Sequence, residues 1–297
     1  MMDSISSEID CLKNEAGFVR LADHGVIELT GEDRQKFLHS FCTADIKQLS
    51  PGDQTEAFIL NGKGKSLCFA NVLATEDRLL LVFNLASTAL DVIAHLDMYL
   101  IREDVELSDR SSELSVWFVS GDQAGGRLSE MESNNLTVAP AEIAGDGWLL
   151  VGLAADAEAI EASLVAKQIQ VCSAETLLVR RVQSVTPWNG IEVTVDNLPQ
   201  ELDRDDKSIS FNKGCYLGQE TVARLDALGR VNWILRGFVC PKGVEPVVGS
   251  KLEIEGKAAA RITSVAYSET DDRWLAIGFA KRGFEKPDTV VDGWMVR

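Results

Sequence analysis

The sequence predicts an α+β fold with mostly antiparallel sheets, followed by a small C-terminal β-barrel. Three observations carry that expectation. Strand-like and helix-like patterns alternate irregularly, and neighbouring strands are joined by short turns. Neither a regular strand–helix–strand repeat nor a GxGxxG fingerprint occurs, which disfavours a doubly wound sheet. After about Trp233 the helical period stops, and short β-rich runs follow to the end.

In chain order, Gly25–Leu29 reads as a strand. Thr30-Gly-Glu-Asp33 supplies an N-cap signal for a helix whose apolar stripe is Phe37, Leu38 and Phe41. Thr55–Leu60 and Leu67–Ala74 are strands joined across the turn Asn61–Lys65, and Arg78–Asn84 pairs back across Thr75–Asp77. A helix is predicted over about Ser87–Leu100, with Leu90, Ile93, Leu96 and Leu100 forming one apolar face. Strands near 113–120 and 147–153 precede helices near 155–167 and 174–183. The barrel strands are Leu235–Cys240, Lys251–Ile254, Ala259–Tyr267, Trp274–Ala280 and Thr289–Val291, giving domains over 1–232 and 233–297.

With 297 residues, 45% hydrophobic and 25% charged, the chain is globular rather than disordered. Its longest apolar stretches fall far short of the ~18 residues that span a bilayer. No presequence is readable in the first fifteen residues, so a cytoplasmic location is expected. Six cysteines without CxxC spacing and three scattered histidines read as mostly free thiols with no metal site.

Net charge is −17, unevenly spread. Residues 1–206 carry 15 basic and 35 acidic side chains. Residues 207–236 hold Lys207, Lys213, Arg224, Arg230 and Arg236 against only Glu220 and Asp226. This positive island is either a solvated surface or a docking place for a small anion. The overall field has the wrong sign for direct nucleic-acid binding.

The most distinctive segment is Ser208–Arg224. A short β-type run reaches Asn212, Gly214 and Gly218 bracket Cys215 and Tyr216, and Gln219–Arg224 begins a helix. Cys215 is then either a small buried residue between turn glycines or a thiol whose pKa Lys213 and the helix N-terminus lower. No Cys/His nucleophile pair is evident, which argues against a cysteine hydrolase.

Lys213-Gly-Cys-Tyr-Leu-Gly-Gln-Glu220 resembles the K-G-C-[FY]-x-G-Q-E signature of the YgfZ family. These are relatives of the glycine-cleavage T-protein that bind folate and support iron–sulfur protein maturation. Thr30–Leu38 with Thr43-Ala-Asp-Ile46, Leu60-Asn-Gly-Lys-Gly64, Arg181–Gly190 and Leu198-Pro199 resemble further family landmarks in order and spacing. The resemblance covers roughly residues 20–297. It implies a T-protein-like folate-binding domain followed by the barrel, with tetrahydrofolate or a derivative as ligand. Iron–sulfur proteins or their assembly machinery are the implied partners, without direct nucleic-acid or membrane contact.

The same resemblance makes Cys215 the functional thiol, tuned by Lys213, with Gln219 and Glu220 fixing the loop and Arg224 meeting an anionic group. Tyr216, Trp188 and Phe211 are candidates for an aromatic wall, though each taken singly reads first as ordinary packing. Two departures stand out. T-proteins carry an aspartate pair after the turn aligned with Asn61–Lys65, where this chain has Leu67-Cys-Phe-Ala70. Gln183 and Val185 replace the acidic residue and glycine of R-x-E-x-G, and an amide bonds a pterin edge without ion pairing. A maturation factor is therefore favoured over the alternative, a tetrahydrofolate-dependent aminomethyl or one-carbon transferase.

Overall fold

The computed structural model describes residues 5–129, 131, 136–229 and 231–297. The first sheet has the order β10–β1–β7–β9–β8, from β1 (Gly17–Leu21), β7 (Leu114–Ser120), β8 (Leu136–Glu142), β9 (Asp146–Leu153) and β10 (Gln170–Val171). The second runs β3–β4–β5–β2–β6, from β2 (His24–Thr30), β3 (Gln54–Leu60), β4 (Ser66–Ala74), β5 (Leu79–Asn84) and β6 (Glu106–Asp109). Within these two sheets every pairing is antiparallel except β1 with β10.

The helices are α1 (Ile5–Asn14), α2 (Arg34–His39), α3 (Thr88–Asp97), α4 (Ala124–Leu128), α5 (Ala157–Ala166), α6 (Ala174–Ser184), α7 (Asp205–Ser208) and α8 (Gln219–Leu228). Strand β5 shows how the layers form. Leu80 and Val82 face the first sheet, packing with Val116, Phe118 and Leu149, while Leu79, Leu81 and Phe83 face the helix layer of Phe37, Leu38, Val92 and Leu96. Period-two alternation with both faces apolar makes a doubly covered strand, each buried Leu or Phe contributing about 1.5–3 kcal/mol. Helices α4 and α5 cover the far side of the first sheet around Trp117 and Leu150. Glu8 of α1 accepts bonds from Ser173 N and from the hydroxyls of Ser173 and Thr176, which ties α1 to the start of α6.

The C-terminal strands are β11 (Trp233–Val239), β12 (Lys251–Ile254), β13 (Lys257–Ser268), β14 (Arg273–Lys281), β15 (Val290–Val291) and β16 (Trp294–Val296). They form one nearly closed barrel in the order β12–β13–β14–β11–β16–β15, with β12 and β15 approaching each other. A bulge at Ile262/Ser264 turns Thr263 and Ser264 towards Glu192, whose Oε1 accepts from both hydroxyls at 2.8 and 2.6 Å. Arg181 completes this joint, bonding Glu192 at 3.0 Å and Ser264 at 2.5 Å; both members of the ion pair are fully buried.

Four expectations need correction. Helix α2 begins at Arg34, with Asp33 rather than Thr30 as its N-cap residue, because Gly31 turns the chain at φ 97° against the Asp104 carbonyl. Helix α3 buries Ala89, Val92 and Leu96, and Leu90 is 67% exposed, so the buried face is rotated from the expected one. The run before Asn212 is the short helix α7 and a bend rather than a strand. The positive island is neutralised in space. Lys207 pairs with Glu142, Lys213 turns inward, Arg224 pairs with Glu220 and Arg236 with Asp203, while Arg230 lies outside the described residues.

Candidate functional site

The signature segment is clasped by two stretches distant in sequence. Lys213, only 8% exposed, donates from Nζ to the carbonyls of His39 (2.5 Å), Ala44 (2.6 Å) and Cys42 (2.9 Å). An ammonium has three protons, so its donor capacity is filled. It thereby caps the C-terminal end of α2 and lies 4.9 Å from the centre of the Tyr216 ring. Leu217 N donates to Ser40 O, Ser210 N to Thr43 O, and Thr43 Oγ1 to Ser208 O.

The second clasp is made by glycines. Gly218 adopts φ 83°, and a Cβ there would stand 2.8 Å from Asn61 O and 2.9 Å from Gly64 Cα. A Cβ on Gly64 would meet Thr221 at 2.6 Å. Two backbones approach so closely here that only glycine serves on either side. The hairpin turn Asn61–Lys65 and the signature loop are thus locked face to face, and Thr221 Oγ1 donates to Lys63 O.

What the clasps hold outward is Cys215. It is the one exposed cysteine of six. Burial pushes the Cys42 thiol up to about 11 and also raises those of Cys11, Cys68, Cys172 and Cys240, so these stay protonated and inert. Helix α8 starts at Gln219, so the turn Tyr216–Gly218 separates Cys215 from its N-terminus. With Lys213 committed to carbonyls, the thiol's neighbourhood differs from the one the spacing suggested.

One neighbour escaped the sequence analysis. The His39 ring packs under Gly214, with Nε2 3.9 Å from where a Gly214 Cβ would stand. Its Nδ1 lies 3.1 Å from Asp45 Oδ1, out of line for a hydrogen bond. Burial, then Lys213, lowers its pKa despite Asp45. The nearby FLxxxxTxD stretch was the available signal.

The other candidates do not converge on one cavity. Tyr216 is buried, its hydroxyl pushed up to about 12 by burial and then by Cys42. Gln219 is the first helical residue, with its N–H on Tyr216 O. Glu220 and Arg224 pair with each other at 2.7 Å on the solvent side of α8. Phe211 lines an outer groove with Asp45, Asp205, Asp206 and Lys207, apart from the other candidates. Gln183 faces the barrel, with Nε2 3.5 Å from Ser268 Oγ.

Trp188 alone lines the central hollow, together with His24, Phe69, Asn71, Asn84 and Glu142. Arg181 stacks on Trp188 at 4.4 Å. Aromatic walls, two amides, a carboxylate and the unpartnered Nδ1 of His24 are the chemistry a pterin asks of a site. The room is not there: the hollow holds about 20 Å³, enough for a single water. A folate therefore fits the donor set but not the space while these walls stand. Glu142 is the partition, since it also lines an outer groove of about 490 Å³ with Gln54, Glu56 and Lys207. It accepts from Arg204 at 2.5 Å and Lys207 at 2.6 Å, and Arg204 also binds Glu56.

Residues 1–142 match the family model of the GCVT N-terminal domain. The tRNA-modifying protein YgfZ of Vibrio vulnificus is 27% identical over 267 residues, covering 86% of this chain and 81% of that protein. The chain is thus similar to YgfZ proteins over most of its length, and its first half matches a domain of the T-protein. Another relative, a putative chloroplastic transferase of Arabidopsis thaliana, is 24% identical over 300 residues, covering 94% of this chain and 68% of its own. In fold, the chain is similar to the glycine cleavage system aminomethyltransferase T of Bartonella henselae. The TM-score is 0.82 at 16% identity, over 97% of this chain and 84% of that one. Among the described residues, no helix is long and apolar enough to cross a membrane, and no cluster of three or more His, Cys, Asp or Glu could hold a metal.

Proposed function

We propose that this chain is a YgfZ-like accessory protein for the assembly or repair of iron–sulfur cluster proteins, acting through the thiol of Cys215. Tetrahydrofolate or a derivative is the ligand proposed for the central hollow. The observation that carries the reading is the single exposed cysteine, held on a loop clasped from two sides while five other thiols are buried. A rigid scaffold presenting one soft nucleophile suits transient contact with a partner protein.

The transferase alternative gains nothing from the geometry. Phe69 lines the hollow where the resemblance places a T-protein carboxylate, and Cys68 is buried. Glu142 is the only carboxylate lining the hollow among the described residues. Burial raises its pKa, yet bonds from Lys207 and Arg204 outweigh that and hold it down to about 2, too acidic for proton exchange near neutrality. In this reading residues 1–232 form the folate unit and 233–297 the barrel unit, the site of action is the cytoplasm, and the partners are proteins. A net charge of −17 opposes direct capture of nucleic acid.

The test is complementation of a strain lacking its own YgfZ protein, read as the activity of an iron–sulfur enzyme. Cys215→Ala is expected to abolish rescue while Cys240→Ala retains it. Full rescue by Cys215→Ala would remove the thiol from the account.

A further inference from the structure

While the linear positive island dissolves into ion pairs, four cations distant in sequence assemble elsewhere. Lys13 at the end of α1, Arg180 of α6, Arg273 of β14 and Arg297 beyond β16 line one cleft of about 560 Å³ between the helices and the barrel. Asp271 is the only carboxylate among its lining residues. Like charges gathered in a half-buried place repel one another, and an acidic protein has carboxylates to spare for neutralising them.

Two of these guanidinium groups keep a buried Nε without a partner. Arg180 makes no hydrogen bond among the described residues, and its Nε is buried without a partner. Arg297 Nη1 donates to Gln183 O at 2.7 Å and Nη2 to Val182 O, leaving its buried Nε unpaired. Gln183 Oε1 is a buried acceptor with no donor. Arg273 reaches only the Asp271 carbonyl, from Nε at 3.3 Å. Burial, and next Arg180, lowers the Lys13 pKa against the opposing pull of Asp271 and Asp10.

We propose that this cleft binds a small polyanion bearing phosphate or carboxylate groups. Arg180 and Lys13 hold it from the helix wall, Arg273 and Arg297 from the barrel wall, and Gln183 Oε1 accepts from a hydroxyl or N–H of the ligand. The volume falls within the range of small-molecule sites, about 300–1,000 Å³. Guanidinium groups on facing walls suit bidentate contact with planar or tetrahedral oxyanions. The site is separate from both Cys215 and the central hollow.

Calorimetric titration of the full chain with inorganic pyrophosphate and, separately, with citrate tests this. Saturable one-to-one binding of either probe supports the proposal, and the preferred probe tells phosphate from carboxylate. Arg180→Gln and Lys13→Gln are each expected to weaken binding at least tenfold with the unliganded melting temperature unchanged. Absence of saturable heat with both probes, or equal affinity in both variants, overturns it. So does tighter binding of a single-stranded RNA oligomer lost in the same variants, which would make the cleft a backbone-phosphate contact.

Discussion

Replacing Lys213 by Met tests whether this lysine clamps the loop or tunes the thiol. The substitution keeps the unbranched shape of the side chain, one atom shorter, and removes three charge-assisted bonds, to His39, Cys42 and Ala44 carbonyls, at 2.5–2.9 Å. A hydrogen bond to a charged group contributes about 1.5–3 kcal/mol, and three carbonyls on one ammonium are not additive. Relief of the burial that lowers the lysine pKa offsets part of the loss. A net cost of about 3–4 kcal/mol follows, a large share of a typical stability of ~5–15 kcal/mol. Urea denaturation measures it, and amide exchange at Leu217 and Ser210, which bond Ser40 and Thr43, should accelerate. If the variant lies within about 0.5 kcal/mol of wild type with both amides equally protected, the clamp is refuted. A shifted pH profile of Cys215 alkylation in a fully stable variant would favour thiol tuning instead.

Gly218→Ala should cost about 1–3 kcal/mol, through strain at φ 83° and collision with Asn61 O, and a melting temperature equal to wild type would contradict the glycine clasp. Asp205 is raised to about 6 by burial, then by Asp203, Asp206 and Asp226. The folded state therefore binds the proton more tightly than the unfolded one. The contribution of Asp205 to stability should fall as pH rises from about 4 to 6, and Asp205→Asn should gain on the order of 1 kcal/mol at pH 7 and little at pH 4 in urea titrations. Glu142→Gln weakens the partition between hollow and outer groove, so the binding-competent population grows and tetrahydrofolate should bind several-fold more tightly than to wild type. Equal or weaker binding in calorimetry would show that Glu142 does not bar the hollow.

Much of the scaffold was legible because its strands are apolar on both faces, as in β5, or alternate, as in the barrel. Helix α3 misled because Leu90 fits the 3.6-residue period yet points to solvent, the packing side being set by Ala89 and Val92 against the second sheet. Strand β16, three residues long, carries no period of its own and exists through pairing with β11. The signature's importance was visible in its residues, but its support was not: Lys213 meets partners 169–174 positions away, and Gly218 meets Gly64. Charge was misread for the same reason. Neighbours along the chain, such as Arg224 and Arg236, found carboxylates, while Lys13 and Arg297, at opposite ends, share a cleft.

The account rests on one presented sulfur, and alkylation of the native protein with peptide mapping measures that directly. It predicts a single adduct at completion, on Cys215, with Cys11, Cys42, Cys68, Cys172 and Cys240 modified only after denaturation. Protection of Cys215, or labelling of a second cysteine at the same rate, would contradict it.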